Sequence, residues 1–175
     1  MGKCIPVTRC SHTAISSRAV ACVNIYARNG DQLDLANSRL GEELRLRPNI
    51  EWNVNQHLLL RVQHTAARLD TADGERIFKA DLTDLRLTWQ FNVRSFVRFT
   101  TQRQLVRRNV AVYIDPSTES ETLTVGTQLL YSYKLNPQTV LFVGYSDSAR
   151  EDVDIADLAR TDRTVFTKLS YAWLR

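Results

Sequence analysis

Residues 43–54 read ELRLRPNIEWNV, a stretch that alternates between two kinds of side chain. The even positions, from Leu44 to Val54, are apolar, and the odd positions, from Glu43 to Asn53, are charged or amide residues. Successive side chains of a β-strand point to opposite faces, so this period of two predicts a strand with one apolar and one polar face. Such a strand separates water from an apolar phase, which is either a protein core or a lipid bilayer.

The same alternation recurs along the chain and predicts an all-β antiparallel up-and-down meander of about seven or eight strands. Residues 43–54 form the first strong strand, and six more are expected at Leu58–Thr65, Ile77–Phe91, Ser95–Gln104, Glu121–Lys134, Thr139–Ser146 and Thr164–Arg175. A weaker candidate, Val20–Arg28, precedes them. Residues 1–40 are otherwise expected to form a poorly structured leader, and residues 41–175 the wall of a β-barrel.

The connections between the predicted strands alternate in length. Short polar turns follow the first, third and fifth strands, and longer segments follow the others, the longest being Asp147–Arg163. Outer-membrane barrels have short turns at one end and long loops at the other. A soluble sheet with its charged face in water explains the alternation of side chains but not this alternation of loops. The pattern therefore favours a membrane barrel.

The composition argues against several other classes of protein. The net charge of +4 comes from dispersed Lys and Arg residues, so no nucleic-acid partner is expected. No apolar run approaches the roughly 20 residues of a membrane helix. The spacing of Cys4, Cys10 and His12 matches no common zinc site, and neither a metal nor a cofactor is expected.

Two sets of site residues follow if the apolar face meets lipid. The lipid-facing set, whose aromatic members lie near the short turns as in an interfacial girdle, is Leu46, Ile50, Trp52, Leu87, Trp89, Phe99, Tyr131, Tyr171 and Trp173. The opposite set would line a wet lumen, because charged side chains are costly to bury in a core: Arg45, Arg47, Glu51, Arg61, Arg86, Arg98 and Lys168. These arginines either bias the lumen towards anions or pair with Glu51 and Asp84 as structural ladders.

Three further groups of residues have weaker functional readings. The acidic residues between 147 and 157 could hold a divalent cation, although solvated loop charge explains them more simply. Arg103, Arg107 and Arg108 could contact lipopolysaccharide phosphates or an anionic solute, and solvated charge again competes. His57 and His64 could serve a hydrolase, but no nucleophile motif accompanies them, so no catalytic residue is assigned.

Several segments resemble one known family. They are LRPNIEW at 46–52, LRLTWQFN at 85–92 with RSFVR at 94–98, LYSYKLNP at 130–137 with VGY at 143–145, and KLSY at 168–171. They resemble the carboxy-terminal barrel of an uncharacterised family of Gram-negative envelope proteins, in which a carbohydrate-binding family-9-like domain precedes a large outer-membrane barrel. The resemblance spans residues 41–175, and because the family's first domain and a clear export signal are not recognised, we expect a truncated fragment.

The resemblance implies an outer-membrane location and contact with lipid and with the barrel-assembly machinery, whose recognition signal the closing strand resembles through Tyr171 and Trp173. It also implies a carbohydrate or an anionic solute as a further partner. The predicted function is therefore a non-enzymatic outer-membrane barrel segment that acts as a pore or as the anchor of a carbohydrate-related module. Two alternatives stay open: a soluble β-barrel or sandwich that binds a ligand, and a membrane-embedded hydrolase.

Overall fold

The computed structural model of the chain describes residues 3–12, 19–115, 117–136, 139–152 and 155–171. Nine β-strands make up most of these residues: β1 Lys3–His12, β2 Val20–Asp34, β3 Arg39–Asn53, β4 Leu58–Thr71, β5 Arg76–Asn92, β6 Ser95–Arg108, β7 Glu121–Asn136, β8 Thr139–Asp152 and β9 Ile155–Tyr171. A short 3₁₀ turn, Val110–Val112, lies between β6 and β7. Within the described ranges, no helix is long and apolar enough to cross a membrane.

All nine strands belong to one sheet in which spatial order follows chain order from β1 to β9. Each neighbouring pair is antiparallel, which confirms the predicted all-β up-and-down meander. β1 and β9 are the two edges and do not pair with each other, so the sheet formed by the described residues is open. An open, consecutively paired sheet of this kind is compatible with part of a barrel.

The first two strands lie in the segment where the sequence predicts a poorly structured leader with one weak strand. β1 pairs with β2 from Lys3↔Asn29 to His12↔Val20, and β2 pairs with β3 along its whole length. The apolar positions of β2 are small residues such as Ala21 and Ala27, which weakens the periodic signal. A strongly patterned neighbour, β3, provides a paired edge for them, and tertiary context of this kind overrides a weak local preference.

Two of the three predicted long connections are wrong. The connection between β4 and β5 is only four residues long, 72–75. The segment predicted as the loop Asp147–Arg163 belongs mostly to β8 and β9. Opposite charges face each other across these polar strand ends: Asp147 is paired in register with Arg163, and its Oδ2 lies 3.1 Å from Arg160 Nε. Such cross-strand pairs stabilise a hairpin without apolar residues. One long connection remains, residues 109–120.

The pairing register assigns each strand residue to one of two faces, because directly opposed residues share a face. One row of opposed residues is apolar from β3 to β9: Trp52, Leu60, Leu87, Phe99, Leu129, Tyr145 and Val165. The side of the sheet that carries this row is the apolar face. We call the other side of the sheet the charged face. Its adjacent row of opposed residues is Glu51, Arg61, Arg86, Thr100, Gln128, Ser146 and Thr164.

Large side chains of the apolar face are exposed, and a carboxylate of the charged face is buried. Leu46 and Trp52 on the apolar face are 44% and 42% exposed, whereas Glu43 on the charged face is 2% exposed. Among the described side chains, three apolar ones are buried, namely Leu69, Ile77 and Leu105. No second sheet of the described residues packs on either face. The loop 109–120 contacts one end of the sheet, at the turn between β2 and β3.

Candidate functional site

The sheet separates the two predicted sets of site residues. All seven residues expected to line a lumen lie on the charged face, and five are half-buried while Arg47 and Lys168 are exposed. The residues expected to face lipid share the apolar face, with the exception of Trp173, which lies outside the described residues. That lipid covers the apolar face stays a prediction.

Three arginines lie on the charged face of the adjacent strands β4, β5 and β6, and we call them the arginine trio: Arg61, Arg86 and Arg98. Arg61 and Arg86 are directly opposed on β4 and β5. Arg98 on β6 is a diagonal neighbour of Arg86, because Arg86 is opposed by Thr100 two residues away. Three cationic groups are therefore concentrated on adjacent strands, an arrangement that costs free energy unless anions lie close by.

The members of the trio differ in their partners. Arg61 donates from Nε and Nη2 to Glu51 Oε2, at 3.1 and 2.7 Å. Arg98 Nε lies 3.4 Å from Thr88 Oγ1, and its guanidinium carbon stands 5.1 Å from the centre of the Phe96 ring. Arg86 Nε is buried and has no hydrogen-bond partner. A carboxylate therefore neutralises one member of the trio, and the other two have none among the described residues.

The remaining charges of this face lie on β3. Arg45 Nη2 is 2.5 Å from Glu43 Oε1, while Glu43 Oε2 and Arg45 Nε are buried without a partner. The guanidinium carbon of Arg47 stands 6.0 Å from the centre of the Tyr26 ring. The structural-ladder interpretation thus fits Arg61 and Arg45. It does not fit Arg86, since Asp84 forms no ion pair in the described part of the chain.

The loop 109–120 crosses the end of the charged face and is fastened to the turn between β2 and β3. Arg39 donates from Nη2 to Val112 O at 3.1 Å and from Nε to Asp34 Oδ2 at 3.1 Å. Asn37 donates to the same carboxylate oxygen at 2.7 Å and accepts from the backbone N–H of Ile114 at 3.0 Å. Asp34, Asn37 and Arg39 form what we call the loop latch, which joins strands that are not neighbours in the sheet.

The base of the same loop is held by separate contacts. The backbone N–H of Asn109 donates to Ile77 O at 3.0 Å, and the Ile77 side chain is 0% exposed. Arg108 donates from Nη1 to Thr122 Oγ1 at 3.1 Å, and Arg150 donates to Glu119 Oε2 at 2.7 Å. These contacts and the latch together fasten the loop to the sheet at both its ends.

Tyr113 is the titratable residue most affected by the docked loop. Burial raises the pKa of its phenol above the ordinary value, and the nearby Asp34 carboxylate raises it further. Arg108 and Arg39 act in the opposite direction because they favour the phenolate. The net pKa shift is upward, so the docked loop favours a neutral Tyr113.

The three arginines expected to form one phosphate-binding cluster are not together. Arg103 and Arg107 lie on the apolar-face side of β6, and Arg107 Nε is 3.0 Å from Glu121 Oε2. Arg108 lies on the charged face, where it contacts Thr122. Successive residues of a strand point to opposite sides, which explains why Arg107 and Arg108 diverge.

Neither His57 nor His64 belongs to a hydrolytic triad. His57 Nδ1 is 2.8 Å from the backbone oxygen of Gln90, and its ring stacks on Trp89 with centroids 6.2 Å apart. His64 Nδ1 is 2.9 Å from Thr83 Oγ1, but Nε2 is 3.8 Å from Asp81 Oδ1, which exceeds a hydrogen bond. A triad needs a nucleophile on one ring nitrogen and an orienting acid on the other.

The described part of the acidic segment between 147 and 157 lies in β8 and β9 and not in a loop. Asp147 lies in β8, where its carboxylate accepts from the Tyr145 hydroxyl at 3.0 Å and pairs with Arg160. In the ranges that the structure describes, no group of three His, Cys, Asp or Glu residues could hold a metal ion.

Sequence reasoning missed two features, and each had some signal. The loop latch was missed because its side chains contact backbone groups of a loop that is distant in sequence and connects two other strands. The part of the latch that the sequence indicates is the polar turn between β2 and β3. The opposition of Arg61 and Arg86 had a clearer signal. Both are twelve residues from the Asp73-Gly74 pair, the dipeptide that centres a tight hairpin.

In comparisons with known proteins, no family model, no curated protein and no solved structure matches this chain. Its function has to be inferred from the two faces of its sheet.

Proposed function

We propose that this chain forms part of the wall of an outer-membrane β-barrel and acts, without catalysis, as a pore or as the anchor of a carbohydrate-related module. One observation carries the proposal: large apolar side chains are exposed along the apolar face, and no second sheet of the described residues covers them, while Glu43 on the charged face is buried. Transmembrane barrels have this arrangement, with apolar residues outside and polar residues in the lumen. The resemblance of residues 41–175 to an envelope-protein barrel supports the same location.

The exposed apolar face needs a cover. Burying one large apolar side chain contributes about 1.5–3 kcal/mol, and contiguous exposed apolar patches mark surfaces that meet membrane or protein. The exposed residues of this face include Ile50, Trp89, Leu129 and Tyr171 as well as those named above. A soluble sandwich would cover them with a second sheet, and the described residues contain one sheet. Lipid tails would cover all of them at once.

The extent of the apolar face suits a bilayer. On β3 it runs from Leu44 to Trp52, which at the usual rise of a strand is about 27 Å along the strand. The tilt of strands in a barrel shortens this length to roughly 20 Å across the membrane, near the height of the apolar band in known barrels. Past Leu44 on β3 the same face carries Glu42, and on β5 and β6 it becomes charged sooner, at Asp81 and Arg103.

Aromatic residues mark the opposite limit of the apolar face. Trp52, Trp89, Tyr131 and Tyr171 lie on it, close to the ends of β3, β5, β7 and β9. These strand ends are on one side of the sheet, because alternate strands of a meander end there. Rings with a polar edge prefer the level of lipid headgroups, so the four residues fit one interfacial girdle.

The proposal is tested by folding the chain with and without lipid. We expect the urea-denatured chain, on dilution, to regain β-structure only with detergent or vesicles, and to float with the vesicles in a density gradient. Leu129→Arg should lower the free energy of unfolding in vesicles by about 1–3 kcal/mol, because it puts a charge into the lipid between the midplane and the aromatic girdle. Gln128→Arg, its neighbour on the charged face, should change that free energy by less than about 1 kcal/mol.

Two results contradict the proposal. A chain that is folded and monodisperse in buffer without detergent, and that stays below the vesicles, is not a membrane wall. If Leu129→Arg and Gln128→Arg lowered the free energy of unfolding equally, the two faces would not meet different solvents.

A further inference from the structure

We propose that the arginine trio binds a small oxyanion of the phosphate or carboxylate class on the charged face. The inference rests on the proposed function, because it assigns a solute to the face that would line the lumen. It goes beyond a general preference for anions by naming the residues that hold the ligand.

The first step is the unbalanced charge of the trio. Like charges placed directly opposite each other destabilise a sheet, and Arg61 faces Arg86. Glu51 neutralises Arg61, but Arg86 and Arg98 have no carboxylate within ion-pairing distance in the described part of the chain. Several basic residues elsewhere do have such a partner: Lys79 Nζ is 3.2 Å from Asp81 Oδ2, and Arg107 Nε is 3.0 Å from Glu121 Oε2. Unfavourable arrangements of like charges such as this one are expected mainly at functional sites.

The second step is the unused hydrogen-bonding capacity. A guanidinium carries five N–H donors, and Arg86 Nε is buried with no acceptor. A buried donor left without a partner costs about 1–3 kcal/mol. The backbone and side-chain groups around it on the charged face, which include Thr88 and Thr100, leave this donor unpaired. An oxyanion bound here would accept from it and remove that cost.

The third step is geometry. Opposed residues in a sheet are about 5 Å apart and diagonal ones about 7–8 Å, which lets three guanidinium groups reach one ligand of a few ångströms. Arg61 and Arg98 are already held in position, by Glu51 and by Thr88 with the Phe96 ring. Planar guanidinium forks bind carboxylate and phosphate through paired hydrogen bonds, so the ligand class follows from the residue type.

The position of the trio indicates a free solute and not a lipid phosphate. Arg61 and Arg98 are each the fourth residue of their strand, and all three arginines lie on the charged face, behind Leu60, Leu87 and Phe99. If the apolar face meets lipid, the lipid phosphates lie on the other side of the sheet. A lipid headgroup would therefore have to cross the sheet to reach the trio.

The test is a phosphate titration of the full chain, ¹⁵N-labelled and folded in zwitterionic micelles. Inorganic phosphate is exchanged for chloride at constant ionic strength, and the side-chain Nε–H signals of the arginines are followed. We expect saturable shifts of the Arg86 and Arg98 signals. Arg98→Gln should weaken phosphate binding about tenfold or more, since it removes a charge-assisted hydrogen bond. Arg103→Gln removes the same charge from the opposite face of β6 and should leave the affinity within about twofold.

The outcomes are decisive in each direction. Shifts that never saturate, or that Arg103→Gln reduces as much as Arg98→Gln does, would overturn the site, because they report general screening. A shift produced by an anionic phospholipid added to the micelles, but not by free phosphate, would overturn the assignment to a solute. If Arg98→Gln loses the circular dichroism of the fold, Arg86→Gln gives the same comparison.

The micelle titration and the vesicle experiment test the oxyanion site and the membrane wall separately. If the chain proves soluble, the same titration runs in buffer, and a positive result there would keep the oxyanion site while the membrane wall is lost. A chain that floats with vesicles but shows no saturable shift would keep the wall and lose the site.

Discussion

Gly144 is a strand residue at which a side chain would collide with the neighbouring strand. It lies on the charged face of β8, directly opposite Phe166 on β9. A methyl group built at Gly144 would overlap the Phe166 ring, whereas one at Gly126 on the neighbouring strand β7 would meet no atom within 4 Å. The phenyl ring lies over the bare backbone, a packing that a strand glycine permits.

We therefore expect Gly144→Ala to lower the free energy of unfolding by about 1–3 kcal/mol, measured by denaturant titration in micelles, because it forces the aromatic ring out of position. Gly126→Ala serves as the control and should not be destabilising. In a Phe166→Ala background the further cost of Gly144→Ala should largely disappear. A full cost in that background would show that the strain comes from the backbone and not from the ring.

At the scale of single residues, the period of two in the sequence was sufficient to sort side chains onto faces. Leu46 and Arg47, or Leu87 and Arg86, are neighbours in the chain and lie on opposite sides of the sheet. Burial of individual atoms was not predictable. The orphaned Arg86 Nε depends on which strands flank β5 and in what register, and one sequence does not contain that information directly.

At the scale of elements, the loop 109–120 is the feature that departs most from a simple meander. Its latch joins β2 and β3 to the connection between β6 and β7, so it cross-links one half of the sheet to the other. A loop fastened over the charged face would narrow one end of a lumen. Burial of the Tyr113 phenol follows from this docking and provides a way to measure it.

We expect Tyr113 to titrate above the ordinary tyrosine pKa of about 10. The measurement is the phenolate absorbance as a function of pH, and the contribution of Tyr113 is the part that Tyr113→Phe removes. Because the pKa is raised in the docked state, docking is at full strength below pH 10 and weakens as pH rises through the raised pKa. Asn37→Ala, which removes one latch contact, should bring the pKa back towards its ordinary value. Asn55→Ala, at a turn on the opposite end of the sheet, should not change it.

A Tyr113 that titrates at its ordinary value in the parent chain would contradict a docked loop. So would a raised pKa that Asn37→Ala leaves unchanged, because the burial would then have another cause.

Elements with strong alternation were predictable, and the ends of the strands were not. The sequence predicts the central part of each strand from β3 to β9, where apolar residues recur at every second position. It fails where polar residues continue a strand, as at Asp147, because cross-strand partners such as Arg163 and backbone hydrogen bonds stabilise those ends. A charged hairpin and a charged loop have the same composition, and only pairing distinguishes them.

At the scale of the whole molecule, the account depends on which solvent each face meets. The contrast in loop length, which favoured a membrane barrel at the level of sequence, is reduced to one long connection. The distribution of exposure provides a stronger reason, since the apolar face is uncovered and Glu43 on the charged face is almost completely buried. The register makes this a property of the entire sheet, because one apolar row runs unbroken from Trp52 to Val165.

The most direct test compares two neighbouring positions of β6 by fluorescence. In a background without native tryptophan (Trp52→Phe, Trp89→Phe, Trp173→Phe), a single reporter is introduced as Phe99→Trp on the apolar face or as Thr100→Trp on the charged face. Each chain is folded with vesicles whose acyl chains carry bromine, which quenches tryptophan on contact. The account predicts strong quenching and blue-shifted emission for Phe99→Trp and little quenching for Thr100→Trp. Equal quenching, or stronger quenching of Thr100→Trp, would contradict it.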